Sequence, residues 1–354
     1  MKKIILFFLF MPVCLAGCSQ PESSFCPCWS DSARTRTLRV CFYNLENFFD
    51  SVDDSLTNDN EFLPEGTYRW DTRRYYHKAD QIAKVLVAAG GWDYPDIVGL
   101  AEVENNGVLK TLLYKTALKR AKYKFVHFDS PDPRGIDVAL LYRPGRFKVC
   151  HAEAIPICFP TQTSSASTRD ILYVNGVAAG ASDTLHLFVN HFTSRYSGYK
   201  ATVGKRLHIA KVLRTRIDSV LKVQPKAAIL VMGDFNDTPL DSSIRYGLRA
   251  TANHEHVAQG ELLNLMYPYV GDNRVGTHKY HRSWTVLDQF VVTPCMTAPD
   301  ASYRVAGPVC IFAAPFLLTE DEKFSGKKPF RTYSGRKYQG GFSDHLPIVL
   351  DLTY

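Results

Sequence analysis

From Thr37 onward the sequence has no internal repeat, no low-complexity tract and no second linker. Those absences exclude a solenoid and a string of small modules, and leave one domain of about 320 residues as the simplest organisation. The cysteines lack zinc-knuckle spacing: "CPC" at 26–28 has no second half, so a metal knuckle of that kind is excluded. Charge of one sign is not in great excess either. A formal charge of +7 over 354 residues suits an anionic substrate without establishing nucleic-acid binding. The remaining composition, 45% hydrophobic and 22% charged, is that of a globular chain able to bury a sizeable core.

The first residues read as a leader. Lys2 and Lys3 precede an apolar run from Ile4 to Ala16, too short to span a bilayer comfortably. The run ends in "LAGC" at 15–18, which resembles the lipobox of bacterial lipoproteins. That resemblance implies cleavage before Cys18 and lipid on its thiol, hence a signal peptide over 1–17. It also implies a lipid-anchored tether over 18–36 and a place on the cell envelope, periplasmic or surface-exposed. Several acyl chains anchor durably, since each buried CH₂ contributes about 0.8 kcal/mol. Of nine cysteines, Cys14 leaves with the leader and Cys18 is the anchor. Cys26, Cys28, Cys41, Cys150, Cys158, Cys295 and Cys310 remain, an odd set in which at least one is unpaired within a monomer.

Between residues 37 and 354 strands outnumber helices. "LRVCFYNLEN", "DIVGLAEVE", "DVALLYR", "TLHLFVNHF", "AAILVMGDFND", "WTVLDQFVVT" and "DHLPIVLDL" are apolar or alternating runs. "RRYYHKADQIAKVLVAAGG" predicts an amphipathic helix closed by Gly90 and Gly91. "TVGKRLHIAKVLRTRIDSVL" predicts another, with Val203, Leu207, Ala210, Leu213, Ile217 and Val220 on its inner side. Strands joined without helices argue for antiparallel or mixed sheets with helices packed outside.

Nearly every strand run ends in carboxylate, amide or imidazole. These are Asn44 and Glu46, Glu102 and Glu104, His191, then Asp234, Asn236 and Asp237, then Asp288, and finally Asp344 and His345. Singly, each has a structural explanation as a turn residue, a cap or a hydrogen-bonded core histidine. Six such sites on six strands point instead to one shared rim, where buried charge must be paired or metal-bound.

In order and spacing, "FYNLEN", "GLAEVEN", "VNHF", "GDFND", "LDQFVV" and "SDHLPI" resemble the motifs of the endonuclease/exonuclease/phosphatase superfamily, over residues 38–352. The resemblance implies an α+β, four-layered α/β/β/α sandwich of two mixed β-sheets flanked by helices. It also implies a metal-dependent phosphoester hydrolase. It assigns Asn44, Glu102 and Asp344 to a metal, Mg²⁺ or Mn²⁺. Asp234 and Asn236 match the pair that orients water and the scissile phosphate, His191 a phosphate contact, His345 the catalytic imidazole and Asp288 its orienting acid. Arg134 in "DPRGIDVALLY" falls where a substrate-binding basic residue often lies.

The chemistry suits these side chains. Mg²⁺ takes oxygen ligands, only one or two of them carboxylates, and offsets charge on phosphoryl oxygens. Either Asp234 or His345 could take the proton of the attacking water. Glu46 and Glu104 are carboxylates beyond the family pattern. Basic and aromatic residues interleave in "RWDTRRYYHK", "RYSGYK", "RVGTHKYHR" and "KFSGKKPFRTYSGRKY". They form either solvated surface or a cationic rim with stacking rings, Tyr75, Tyr76 and Tyr199 among them. No groove-entering loop is identifiable. The expected function is therefore a cell-envelope phosphodiesterase or nuclease. The alternatives are a phosphatase or phospholipase C-like enzyme on lipid or sugar phosphates, and a ligand-binding lipoprotein without catalysis. The expected partners are the phosphoester substrate, which includes nucleic acid, and the membrane.

Overall fold

The computed structural model describes residues 36–91, 93–160, 167–252, 257–258 and 260–354. The leader, Cys18 and all but the last residue of the tether lie outside the described residues.

In chain order the strands of the first half are β1 (Thr37–Phe48), β2 (Ile97–Val103), β3 (Lys124–His127), β4 (Asp137–Tyr142), β5 (Phe147–Ile155), β6 (Ile171–Ala178), β7 (Leu185–His191) and β8 (Ala228–Asp234). They continue as β9 (Ala250–Thr251), β10 (Leu262–Asn264), β11 (His278–Tyr280), β12 (Ser283–Thr285), β13 (Asp288–Val292), β14 (Arg304–Val305) and β15 (Cys310–Ile311). The last are β16 (Leu318–Glu320), β17 (Lys327–Pro329), β18 (Tyr333–Ser334), β19 (Lys337–Tyr338) and β20 (Ile348–Thr353). The α-helices are α1 (Thr72–Ala89), α2 (Asn106–Lys115) and α3 (Tyr199–Val223).

β11/β12, β16/β17 and β18/β19 are separate two-stranded pairs, and the other fourteen strands form two mixed sheets, as expected. One has the order β14-β20-β1-β2-β4-β3, with β15 also on β20; the other runs β5-β6-β7-β8-β13-β10-β9. Within them β1/β2 and β7/β8 are parallel, while β20 and β13 run antiparallel to β1 and β8. β7 and β8 are buried along their whole length, which is why they read as unbroken apolar runs. Leu187, Val189, Leu230 and Met232 share a core with Phe42 and Leu100 of the facing sheet. At Gly99 a Cβ would come within 2.6 Å of Met232 Sδ, so a side chain there would force Met232 to shift in the core between the sheets. The alternate residues Phe188, Ile229 and Val231 face the other way, onto Ile209, Leu213 and Ile217 of α3. Cys41 is a buried core residue, and Cys41, Cys150, Cys158 and Cys295 are free thiols.

α1 starts where Asp71 accepts the Arg74 amide at 2.8 Å and ends at Gly90, with Gly91 left-handed (φ +73) as expected. The expected inner face of α3 needs correction. Ala210, Leu213 and Ile217 are buried, but Val203, Leu207 and Val220 are only half-buried, and Thr202, Arg206 and Arg214 point inward. Arg206 Nε lies 2.8 Å from Asp237 Oδ1, both side chains fully buried. Satisfying that pair turns the helix away from its most apolar stripe.

Candidate active site

Parallel β1/β2 and β7/β8 end at one edge of the sheet pair, and antiparallel β13 and β20 begin there. His191 therefore stands beside Asp234 across β7/β8, and Asp288 faces Asp234 across β13/β8. Local kinks aim the other groups. Ala101 pairs with Val138 and Val103 with Asp137, leaving Glu102 as a bulged residue at φ +62. Glu46, Asn47 and Asn236 also have positive φ, at +53°, +56° and +49°. Four strained non-glycine residues around one rim mark where neighbouring structure enforces a conformation the chain would not choose alone.

The side chains converge. Asn44 Nδ2 donates to Asp234 Oδ2 at 3.0 Å and to Glu102 Oε1 at 3.3 Å. Asn236 donates its amide N–H to Asp234 Oδ1 at 2.8 Å, and its Nδ2 reaches the Phe192 carbonyl at 3.0 Å. His191 Nε2 lies 3.7 Å from both Glu102 Oε1 and Asp234 Oδ2. His345 Nδ1 is 2.7 Å from Asp288 Oδ2, and its Nε2 faces Asp234 Oδ2 at 3.7 Å. Ser343 completes the turn: its Oγ donates to the Asn44 carbonyl at 2.8 Å and accepts the His345 amide at 3.1 Å. The serine thus ties the last strand to β1 and fixes the imidazole.

Burial opposes a charge on His345, but Asp288, Asp234 and Asp344 outweigh it and hold its pKa well above the ordinary histidine range. Burial pushes Asp234 up to about 6, Asp288 and Glu102 adding to the effect and His345 opposing it. His191 is the reverse of His345. Burial, then the cations of Arg169, Arg134 and His345, keep it neutral. One imidazolium and one neutral imidazole therefore face the same carboxylate.

Asp344 is placed differently from Asn44 and Glu102. Its Oδ2 accepts from Arg331 Nη2 at 2.9 Å, and it lies close to His278 and His345. Burial would raise its pKa, but Arg331, His345, His278 and Lys78 hold it well below the usual carboxylate range. Arg331 Nε also meets Glu46 Oε1 at 2.8 Å, so Glu46 serves this bridge. Lys78, on the buried face of α1, donates to Thr332 Oγ1 at 2.6 Å and stands 4.0 Å from Glu46. Asp237 is a buried structural anchor held by Arg195, Arg206 and Ser243. Glu104 accepts the Asp50 amide at 2.6 Å. Arg134 is half-exposed beside Asp132, near enough to His191 to act on its charge.

Sequence reasoning missed four residues. His278, Lys78 and Arg331 sit in three of the basic-aromatic segments, where a buried cation and a solvated one read alike. Arg169 gave no signal; it bonds the His191 and Phe192 carbonyls at 2.9 and 2.7 Å and pairs with Asp132. Tyr75 is not a free stacking ring but packs in the core against Phe48, at a centroid distance of 5.8 Å.

The model of the endonuclease/exonuclease/phosphatase family matches residues 39–354. The chain belongs to that family. Its members are metal-dependent phosphoester hydrolases. The human Nocturnin catalytic domain with bound sulfate superposes with a TM-score of 0.54 at 17% identity, covering 90% of this chain and 94% of that one. Zebrafish (D. rerio) TDP2 complexed with single-strand DNA product gives a TM-score of 0.53 at 16% identity, with 90% and 99% covered. A family protein from Bacteroides thetaiotaomicron gives 0.54 at 16%, with 89% and 97% covered. No curated protein sequence matches.

The residues present fit a divalent cation. Glu102 and Asp234 offer carboxylate oxygens, the ligands a hard ion takes, while Asn44 turns its Nδ2 toward them and its Oδ1 accepts the Glu46 amide at 3.0 Å. Burial is the chief cause of the upward push on Asp234, with Asp288 and Glu102 adding to it, and a nearby cation would oppose both.

Proposed function

We propose that this chain is a divalent-metal-dependent phosphodiesterase of the nuclease type, held at the cell envelope by lipid on Cys18. The observation that carries the reading is the Asp288–His345 pair turned onto Asp234, with neutral His191 beside it and Glu102 within reach. A cation on Glu102, Mg²⁺ by its carboxylate oxygens and joined by Asn44 once that side chain turns its Oδ1 from the Glu46 amide, would supply positive charge to the phosphoryl oxygens.

The protein's own groups account for the remaining steps. Asp288 orients the His345 ring and keeps it charged, so its Nε2–H can donate to a phosphate oxygen. Asp234, with a pKa pushed up to about 6, is mostly ionised at neutral pH yet basic enough to take a proton from water. The Asn236 side chain, bonded to the Phe192 carbonyl, holds that water in line. His191 Nε2–H, kept neutral by burial, donates to a second oxygen without adding charge. Of the two candidates for the base, both have a raised pKa, which makes Asp234 a better proton acceptor and keeps His345 protonated, so Asp234 is favoured and His345 is left as the stabilising cation.

The test uses the full chain in detergent against single-stranded DNA, RNA, sphingomyelin and inositol phosphates, with and without Mg²⁺. Mg²⁺-dependent cleavage of DNA or RNA is expected, in keeping with the TDP2 structure that holds a single-strand DNA product. Turnover of only lipid or sugar phosphates would move the assignment to the phosphatase or phospholipase branch. No turnover at saturating metal would leave a ligand-binding lipoprotein. For the anchor, Cys18→Ser should release the protein from membranes; identical fractionation with wild type would remove that part of the proposal.

A further inference from the structure

Strand β11 carries His278 into the site and Tyr280 away from it. The His278 ring packs on His345 at 4.9 Å. Residues two apart on a strand share a face and stand roughly 6.6–6.8 Å apart. Tyr280 therefore lies on the same face, one step out from the imidazole pair. Tyr280 is 65% exposed, whereas His278 is partly buried.

The Tyr280 ring is not loose. It stacks on His281 at 4.1 Å with the planes 19° apart, and His281 lies on Phe324 at 4.7 Å. His281 is in the two-residue turn between β11 and β12 at φ +52, a conformation disfavoured for a residue with a side chain. Lys279 clips the turn to the 321–325 loop, its Nζ 2.9 Å from both Asp321 Oδ2 and the Ser325 carbonyl. Lys279 and Asp321 side chains are 4% and 5% exposed, so the clip is held out of water. Lys323 Nζ stands 5.0 Å over Phe324, and Arg282 is exposed at the turn. Strain, a buried clip and a three-ring stack together hold one open aromatic face beside the reacting centre. Such a face is suited to a planar group, and its cationic border to an adjacent phosphate.

We propose that Tyr280, backed by His281 and Phe324, is a subsite that stacks the nucleobase next to the scissile phosphate. The proposal rests on the phosphodiesterase reading and narrows its substrate to base-bearing phosphoesters.

The test is equilibrium binding of thymidine 5′-monophosphate and of deoxyribose 5-phosphate to the full chain, with dinucleotide cleavage measured in parallel. Wild type should prefer the nucleotide. Tyr280→Ala should weaken nucleotide binding about 5- to 150-fold, the range for one stacked base, and leave sugar phosphate binding unchanged. Tyr280→Trp should restore it, and Phe324→Ala should give a smaller loss. In cleavage the loss should appear in KM rather than kcat. Equal affinity of wild type for the two ligands, or equal losses for both on Tyr280→Ala, would overturn the subsite. Nucleotide preference without any hydrolysis would sink the hydrolase reading and leave the subsite standing, so the two failures are separable.

Discussion

His345 Nδ1 lies 2.7 Å from Asp288 Oδ2, across 57 residues of sequence. This contact makes the imidazole a fixed cation, so the two residues should behave as a unit. His345→Ala should lower turnover by about 10²–10⁴-fold. Asp288→Asn should cost less, and the double variant should be little worse than His345→Ala. Strictly additive losses in kcat would show that Asp288 does not act through His345.

Glu102→Gln keeps the shape of the proposed cation site and removes its charge. Activity should collapse, and Mg²⁺ should no longer raise the unfolding temperature. In metal-free buffer the variant should be as stable as wild type or slightly more so, because Glu102 and Asp234 repel one another. Wild-type turnover in excess chelator would falsify the metal-dependent mechanism.

Arg331 binds both Glu46 and Asp344. Arg331→Met should strand the buried Glu46 carboxylate at a cost of about 1–3 kcal/mol, the penalty for an unsatisfied buried group. Glu46→Gln in the same chain should recover much of that loss. Urea unfolding of the single and double variants measures it; a double variant less stable than Arg331→Met would mean the bridge is not the reason Arg331 is needed.

Glu104 gives a pH signature. Burial, together with repulsion from Asp50, Asp59 and Asp54, pushes its pKa up to about 8 from 4.5, against the Asp50 amide bond that lowers it. A carboxyl whose pKa is raised on folding binds its proton more tightly in the folded state. Its contribution is complete below pH 4.5 and is lost as the pH rises to about 8. Metal-free wild type should therefore lose more stability between pH 5 and 8 than Glu104→Gln does. Parallel stability–pH curves for the two would exclude this role.

The strand runs, α1 with its closing glycines, and the polar residues at the strand ends were legible in the sequence because each is a local pattern. Period-two apolar spacing specifies a strand, and a polar group ending an apolar run has to be satisfied somewhere. Sequence patterning also pointed to antiparallel or mixed sheets, since too few helices separate the strands for a parallel sheet, and the family resemblance implied that there are two. What it could not specify was which partner each polar group meets. Arg331 reaches Glu46 across 285 residues and Lys78 reaches Thr332 across 254. In a linear chain these cations are indistinguishable from Arg336 or Lys337 nearby. Only tertiary packing removes the water that would otherwise solvate them, and only then does their charge lower Asp344. The same holds for adjacent Tyr75 and Tyr76: α1 turns one into the core and leaves the other at the surface. It holds for α3 too, where a buried Arg206–Asp237 pair overrode the apolar stripe. Hydrophobic period is set by near neighbours along the chain, whereas desolvation and pairing of charge are set by distant segments brought together, and that second step decided the electrostatics of the site.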